Sequence, residues 1–363
     1  MPQLESVDLR GYKSILLLED FRPGAITVLI GANGAGKSNL ISFFRLLSWT
    51  LSGQLQEFVA RAGGASAILH DGPQTTRDVS ASIYIRTESG RNSYHLRLSY
   101  SAGDALVFTE ERYRFQRTDD EQAFTDLGVG HRESQLADRP DRTARTIRSL
   151  LKRIVVHQFH DTSSTARIRQ RWDIGESLWL KEDAGNLAPF LYRLQRDSPT
   201  HYIRVRDTIR QVLPFFADFE LLPEYDKLLL RWREVGTDVV FHAGQAADGM
   251  LRAMALITLL LQPEESLPDV LIFDEPELGL HPYAIEVLAS LIRAVSRRVQ
   301  VIIATQSVGL IDYFDAGDVV VVERHGRTSV VRRLDPERLS QWLSEYSLSE
   351  LWEKNVLGGR PSR

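Results

Sequence analysis

The stretch Gly31-Ala32-Asn33-Gly34-Ala35-Gly36-Lys37-Ser38 narrows the folds open to this chain more than any other. It follows an apolar β run, Ala25 to Ile30, and leads through Asn39 into Leu40, Ile41, Phe43, Phe44, Leu46, Leu47 and Trp49, the pattern of a helix buried on most of its surface. Strand, glycine loop and helix in that order make a phosphate-binding loop. Glycines at 31, 34 and 36 let backbone N–H groups turn inward on an anion, and the helix behind them adds its N-terminal dipole. Lys37 is expected to reach the β and γ phosphates of a nucleotide. Ser38 offers a hydroxyl to Mg²⁺, an ion that prefers hard oxygen ligands.

A loop of this kind needs an acidic counterpart on a neighbouring strand. Val270-Leu-Ile-Phe-Asp274-Glu275-Pro276 is an apolar run ending in two carboxylates. Asp274 is expected to hold Mg²⁺ through water. Glu275, one residue on, suits the base that polarises the attacking water.

Around these motifs, β runs at Val270–Phe273, Val299–Ala304 and Val319–Glu323 alternate with a helix, Tyr283–Arg297, and a short connection, which implies a mostly parallel sheet. Val319–Glu323 reads as its last strand. Val79 to Gln116 shows short alternating runs split by Ser89-Gly90 and Ala102-Gly103, an antiparallel β subdomain. Asp119 to Asp141 is polar and irregular, Arg142 to Arg153 reads as a short helix, and the middle region reads as mainly helical, with helices at Asn186–Arg196, His201–Leu213 and Asp248–Leu261 and a strand-like passage beginning at Glu234–His242. The expected fold class is therefore α/β, a P-loop sheet carrying a β subdomain and a helical lobe.

Composition removes several alternatives. The longest apolar run, Met254 to Leu261, is far short of the roughly 18 residues of a membrane span, and no export signal is visible. A cytoplasmic protein is expected. The absence of cysteine excludes disulfides and zinc–thiolate sites. With a net charge of −4, any contact with DNA must be local, and the richest cationic stretch runs from Arg139 to Arg171.

Gly11-Tyr-Lys-Ser14, the loop ending Lys37-Ser-Asn39, and Asp274-Glu-Pro-Glu-Leu-Gly-Leu-His-Pro282 together resemble the SMC and RecF class of ABC-type AAA ATPases. His157-Gln-Phe-His-Asp-Thr-Ser163, Ala304-Thr-Gln-Ser307 and Glu350-Leu-Trp-Glu-Lys-Asn-Val-Leu-Gly-Gly-Arg-Pro361 resemble, more closely, a bacterial family of stand-alone RecF-like ATPases related to the ATPase half of overcoming-lysogenization-defect nucleases. That resemblance implies ATP and Mg²⁺ as cofactors. It places Gln158 at the Mg²⁺-contacting, γ-phosphate-sensing position and Gln306 at the switch position. It aligns Gly244–Arg252 with the signature motif, so that Asp248 and Gly249 would face the nucleotide of a second copy, with Ala247 where serine is usual. Gln306 stands where histidine is usual, and glutamine does not titrate near neutral pH.

The resemblance further implies an ATP-dependent head-to-tail homodimer, acting in DNA repair or in defence against mobile elements; the rival is a nucleotide-sensing switch with little hydrolysis. DNA and a separately encoded nuclease or other effector are the candidate partners, and no membrane is implied. Pro189, Pro199, Pro214 and Pro223 leave no room for a long coiled coil, and the residues after Glu323 are too few for a nuclease domain. The expected division is 1–157 (loop and β subdomain), 158–262 (helical lobe), 263–334 (acidic strand and switch) and 335–363 (tail, with Trp342, Tyr346, Leu348, Leu351 and Trp352 expected to fold back on the core).

Overall fold

The computed structural model describes residues 2–117 and 123–359. Gln3–Tyr12 (β1) and Ile15–Phe21 (β2) pair antiparallel, and Ile26–Ile30 (β3) follows, buried at every position. A strand apolar on both faces belongs in the middle of a covered sheet. Lys37–Leu51 (α1), Leu55–Arg61 (α2) and Ala65–Ile68 (α3) lead to Asp78–Thr87 (β4), Gly90–Ser101 (β5) and Ala105–Gln116 (β6). The expected antiparallel region is present and larger than expected. β1 pairs with β4, so the N-terminal hairpin and Thr125–Asp126 (β7) complete a six-stranded sheet of order β2-β1-β4-β5-β6-β7.

Arg142–Lys152 (α4) precedes Ile154–His157 (β8) and Trp172–Asp173 (β9). Leu187–Asp197 (α5) and Pro199–Val212 (α6) are followed by Phe216–Phe219 (β10), Lys227–Leu228 (β11), Arg231–Glu234 (β12) and Val240–His242 (β13). The middle region is thus less helical than its sequence suggests. It contains a three-stranded sheet, β10-β12-β13, and a two-stranded one, β11-β9, because paired short strands with few apolar residues leave little periodicity to read. Asp248–Leu261 (α7) has the bounds the sequence predicts.

Val270–Asp274 (β14), Pro282–Val295 (α8), Gln300–Thr305 (β15), Val308–Ile311 (α9), Val319–His325 (β16) and Thr328–Arg333 (β17) finish the second sheet, of order β17-β16-β3-β15-β14-β8. All its pairings are parallel except β16 with β17. Val319–Glu323 is therefore not the last strand of this sheet. β17 returns from it through a turn at Gly326 and closes the edge, where a largely exposed strand with only Ser329 buried is too polar to stand out.

Alternate residues of β3 divide the interior: Val28 and Ile30 face the core built with α5–α9, whereas Leu29 faces the core shared with α1, α4 and the antiparallel sheet. α7 fills the first core, with ten of its residues buried. The tail, Pro336–Leu343 (α10) and Leu348–Glu353 (α11), packs back, burying Leu348, Leu351 and Leu357 while Trp342 stays exposed. Residues 119–122 of the passage read as irregular, and residues 360–363 of the tail, lie outside the described residues. Among the described residues no helix is long and apolar enough to cross a membrane.

One core group makes stability depend on pH. His157 ends β8, is buried against Phe159 and Phe273, and has no partner at Nδ1. Burial pushes its pKa down to about 3, against an ordinary value near 6.5. A depressed histidine leaves stability intact above its unfolded pKa, and as pH falls from there toward the folded value the unfolded chain alone gains the proton. His157→Leu is expected to flatten the fall of unfolding free energy between pH 6.5 and 3, by up to about 1.4 kcal/mol per pH unit. Urea titrations across that range measure it; equally steep curves for parent and variant would count against the buried neutral imidazole.

Candidate functional site

Register brings the sequence motifs together. Ile30 lies opposite Thr305, and Asp274 opposite Ala304, so the carboxyl ends of β3, β15 and β14 form one line. The Gly31–Ser38 loop, Asp274–Glu275 and Gln306 leave the sheet there side by side, at the end where open α/β sheets bind ligands.

The loop is shaped by close packing. Gly36 has φ +114°, and a Cβ on it would lie 2.0 Å from Ser329 Oγ and 2.7 Å from Ser14 Oγ. Those two hydroxyls are bonded at 2.7 Å, Ser329 Oγ donates to the Ala35 carbonyl at 2.5 Å, and Asn39 Nδ2 donates to Ser14 Oγ at 2.7 Å. Ser329 thus holds the loop at Ala35, and Ser14 links Ser329 to Asn39 in α1. The N–H groups of Asn33, Gly34, Gly36, Lys37 and Ser38 donate to no described residue, as an anion cradle requires. Lys37 is buried and its Nζ donates to the carbonyls of Gly31 (2.5 Å) and Ala32 (3.2 Å). Desolvation lowers its pKa; the carboxylates of Glu275, Asp274 and Glu277 act in the opposite direction.

Ser38 Oγ donates to Asp274 Oδ1 at 3.3 Å, a long contact for two oxygens. Burial raises the Asp274 pKa, and the Ser38 contact works against that rise. A buried carboxylate and a hydroxyl held this loosely are a donor pair fit for Mg²⁺. Glu275 follows in a left-handed conformation, φ +45°, its N–H donating to the Ala304 carbonyl at 2.8 Å. Such backbone strain on a non-glycine residue aims a side chain at a price in stability. Gln306 Nε2 donates to Glu275 Oε1.

Gln158 reaches the same strand end through a relay. Its Nε2 donates to His160 Nδ1 at 3.0 Å, and His160 Nε2 donates to the Asp274 carbonyl at 2.8 Å. These two bonds require the tautomer protonated on Nε2.

Asp248 and Gly249 stand apart from this group. They open α7, where Ala247 and Asp248 are exposed, Asp248 pairs with Arg169 at 3.0 Å, and Gly249 abuts the Gly279 carbonyl. No hydrogen bond or ion pair among the described residues joins them to the Gly31–Ser38 loop. Their neighbour Arg252 stands in the sequence only as the end of the signature-like segment, with no role of its own. Its guanidinium donates to the carbonyls of Phe159 (3.0 Å), His160 (3.0 Å) and Leu278 (2.9 Å), tying α7 to the Gln158 segment and to the turn after Glu275. The roles of Ser329 and Glu277 are not visible in the sequence, nor is the contact of the tail with the loop, where the Ala32 N–H donates to the Gly359 carbonyl at 2.7 Å. The Gly358-Gly359 pair was the only signal of that contact.

The cationic stretch does not act as one face. Arg153, Arg167, Arg169 and Arg171 pair with Asp269, Asp183, Asp248 and Glu224, and Arg148 donates to the Ala137 carbonyl. Arg139, Arg142, Arg145 and Lys152 remain exposed.

Known proteins agree with this architecture. The family described as "AAA domain, putative AbiEii toxin, Type IV TA system" matches residues 26–312. An SMC head bound to the C-winged helix domain of ScpA is 15% identical, with 93% of this chain and 99% of that chain covered and a TM-score of 0.62. The SMC head with an extended coiled coil bound to the C-terminal domain of ScpA, from Pyrococcus furiosus, is 15% identical over 95% of this chain and 99% of that chain, TM-score 0.61. A third, with a coiled coil and joint, from Pyrococcus yayanosii, gives 13%, 95%, 99% and 0.57. At these identities the likeness is one of fold. No curated protein matches the chain.

Arg252→Ala leaves three carbonyls short of a charged donor, and is expected to lower unfolding free energy by about 2 kcal/mol. Chemical denaturation measures the loss; a change below about 0.5 kcal/mol would mean that solvent replaces the guanidinium fully.

Proposed function

The chain belongs to this AAA domain family, and from that premise we propose that it is a Mg²⁺-dependent ATPase that dimerises head to tail on ATP. The observation that carries the reading is the alignment of three strand ends, which gathers Lys37, Ser38, Asp274, Glu275 and Gln306. In it the free N–H groups of the loop and the Lys37 ammonium bind the β and γ phosphates, Lys37 exchanging its carbonyl partners for phosphate oxygens. Ser38 and Asp274, with Gln158 at the head of the relay through His160, would hold Mg²⁺, which neutralises charge on the phosphates when bound. Glu275 accepts a proton from the attacking water, and Gln306, now bonded to Glu275, orients that water or the γ-phosphate.

The dimer is supported by what one copy lacks. Ala247 and Asp248 at the α7 N-terminus are exposed, Gly249 is half-buried beside them, and none is connected to its own loop, so a second copy, inverted, is the partner whose nucleotide they can meet. Two of the similar SMC heads are bound to domains of ScpA, and the matched family is described in terms of a toxin system. Repair of DNA or defence against mobile elements, through an effector supplied by another chain, is the biological setting we infer; the exposed Arg139, Arg142, Arg145 and Lys152 are the cations available for DNA. A second reading, a nucleotide switch with little turnover, is favoured by Ala247, which offers no hydroxyl to the opposite phosphate.

Calorimetry, phosphate release and light scattering test both. Lys37→Ala is expected to abolish ATP binding with the fold retained. Glu275→Gln is expected to keep binding, to slow phosphate release at least about 100-fold, and to accumulate the dimer. Undiminished ATP affinity in Lys37→Ala would overturn the loop assignment, and a monomeric Glu275→Gln with ATP bound would overturn the composite site.

A further inference from the structure

Glu277 lies two residues beyond Glu275 and is buried, yet the reaction as described makes no use of it. Its Oε1 accepts a hydrogen bond from Thr305 Oγ1 at 2.5 Å, and its Oε2 is buried without a partner. Thr305 is the last residue of β15 and directly precedes Gln306. Its hydroxyl, while donating to Glu277, accepts from the Ser307 N–H at 2.9 Å. Two hydrogen bonds therefore run in series, from Ser307 N–H to Thr305 Oγ1 and from Thr305 Oγ1 to the Glu277 carboxylate. They fix the backbone on both sides of Gln306. The Gln306 side chain, so aimed, donates to Glu275.

This arrangement is poorly explained by stability alone. A carboxylate taken out of water and left with one oxygen unpaired is unfavourable, and an apolar side chain of similar volume would fill the same space without that penalty. Conflicts of this kind collect where a site must be held in one geometry. Here the conflict lies at the junction of β14 with β15, between the two loops that present Glu275 and Gln306.

We propose that Glu277 is a positioning residue for hydrolysis: through Thr305 it holds the Thr305-Gln306-Ser307 turn so that the Gln306 amide meets Glu275 and the reacting phosphate. Glu277 itself touches neither substrate nor metal. The proposal rests on the ATPase reading and assigns to it a residue from outside the strand-end group.

Because it acts on aim and not on nucleotide binding, its loss appears in kcat and spares KM. The test uses the full chain with Mg²⁺ and ATP, following steady-state phosphate release, ATP affinity by calorimetry and thermal melting. Glu277→Ala and Thr305→Val are each expected to lower kcat by about 10- to 100-fold, with KM and ATP affinity within about twofold. Glu277→Gln keeps a carbonyl acceptor for Thr305, and Thr305→Ser keeps the hydroxyl, so both are expected to recover most of the turnover. Adding Gln306→Ala to Glu277→Ala is expected to cost little beyond Gln306→Ala alone, since both act through one amide. Should Glu277→Ala fail to fold, the Thr305→Val and Thr305→Ser pair reads the same contact. Parent-like kcat in a folded Glu277→Ala or Thr305→Val, equal losses in the Val and Ser variants of Thr305, or a parallel loss of ATP affinity would each overturn the proposal. Lys37→Ala measured alongside separates the two levels: Lys37-dependent hydrolysis that ignores Glu277 removes this inference alone, whereas a parent with no Lys37-dependent hydrolysis removes the ATPase reading and this inference with it.

Discussion

The parallel registration of β3, β15 and β14 is the constraint on which the site depends. Each strand is buried along its whole length and mostly apolar, so none can slip by a residue without carrying side chains into the wrong core. Their carboxyl ends therefore coincide, and whatever follows each strand is delivered to one place. A glycine loop, a pair of acids and a glutamine arrive from separate parts of the chain, yet they need no contact of their own to find one another.

What gathers there is charge in a poorly solvated space. Lys37 is drawn down by burial and held charged by three nearby carboxylates, while Asp274 and Glu277 are pushed up by the same loss of water. A cation among acids of raised pKa is an arrangement waiting for polyanion and metal, since each added charge of the right sign relieves a neighbour. The lysine's present bonds to the loop's own carbonyls are weaker partners than phosphate oxygens would be. The strained Glu275 backbone and the half-satisfied Glu277 carry the same message at the level of single residues: local stability is given up where geometry matters.

A second set of contacts ties this centre to the rest of the molecule. Arg252 fastens α7 to the segment after β8 and to the turn after β14, and α11 packs on α9, the short helix that begins after Gln306. Gly359 meets the loop at Ala32 and Glu323 at the end of β16. These contacts join the loops of the site to α7, whose N-terminus is exposed, and to the tail.

The motifs of the site were legible because they are local. A strand, a glycine loop and a helix within about thirty residues announce themselves by spacing, as does the apolar run that ends in Asp274 and Glu275, and the helix Asp248–Leu261 shows its limits through composition alone. Strand order was beyond reach, as were β17 at the sheet edge, the union of β1 and β2 with β4–β6, and most of the small sheets of the middle region, of which only Glu234–His242 looked strand-like. Arg252, Ser329, Glu277 and Gly359 look like ordinary polar or loop residues in the sequence; partners far away in the chain, or across a turn between two strands, give them their roles. Propensity and periodicity act over a few residues, whereas pairing across a sheet is decided by which surfaces can be buried together, and that sum is settled only when the whole chain has folded.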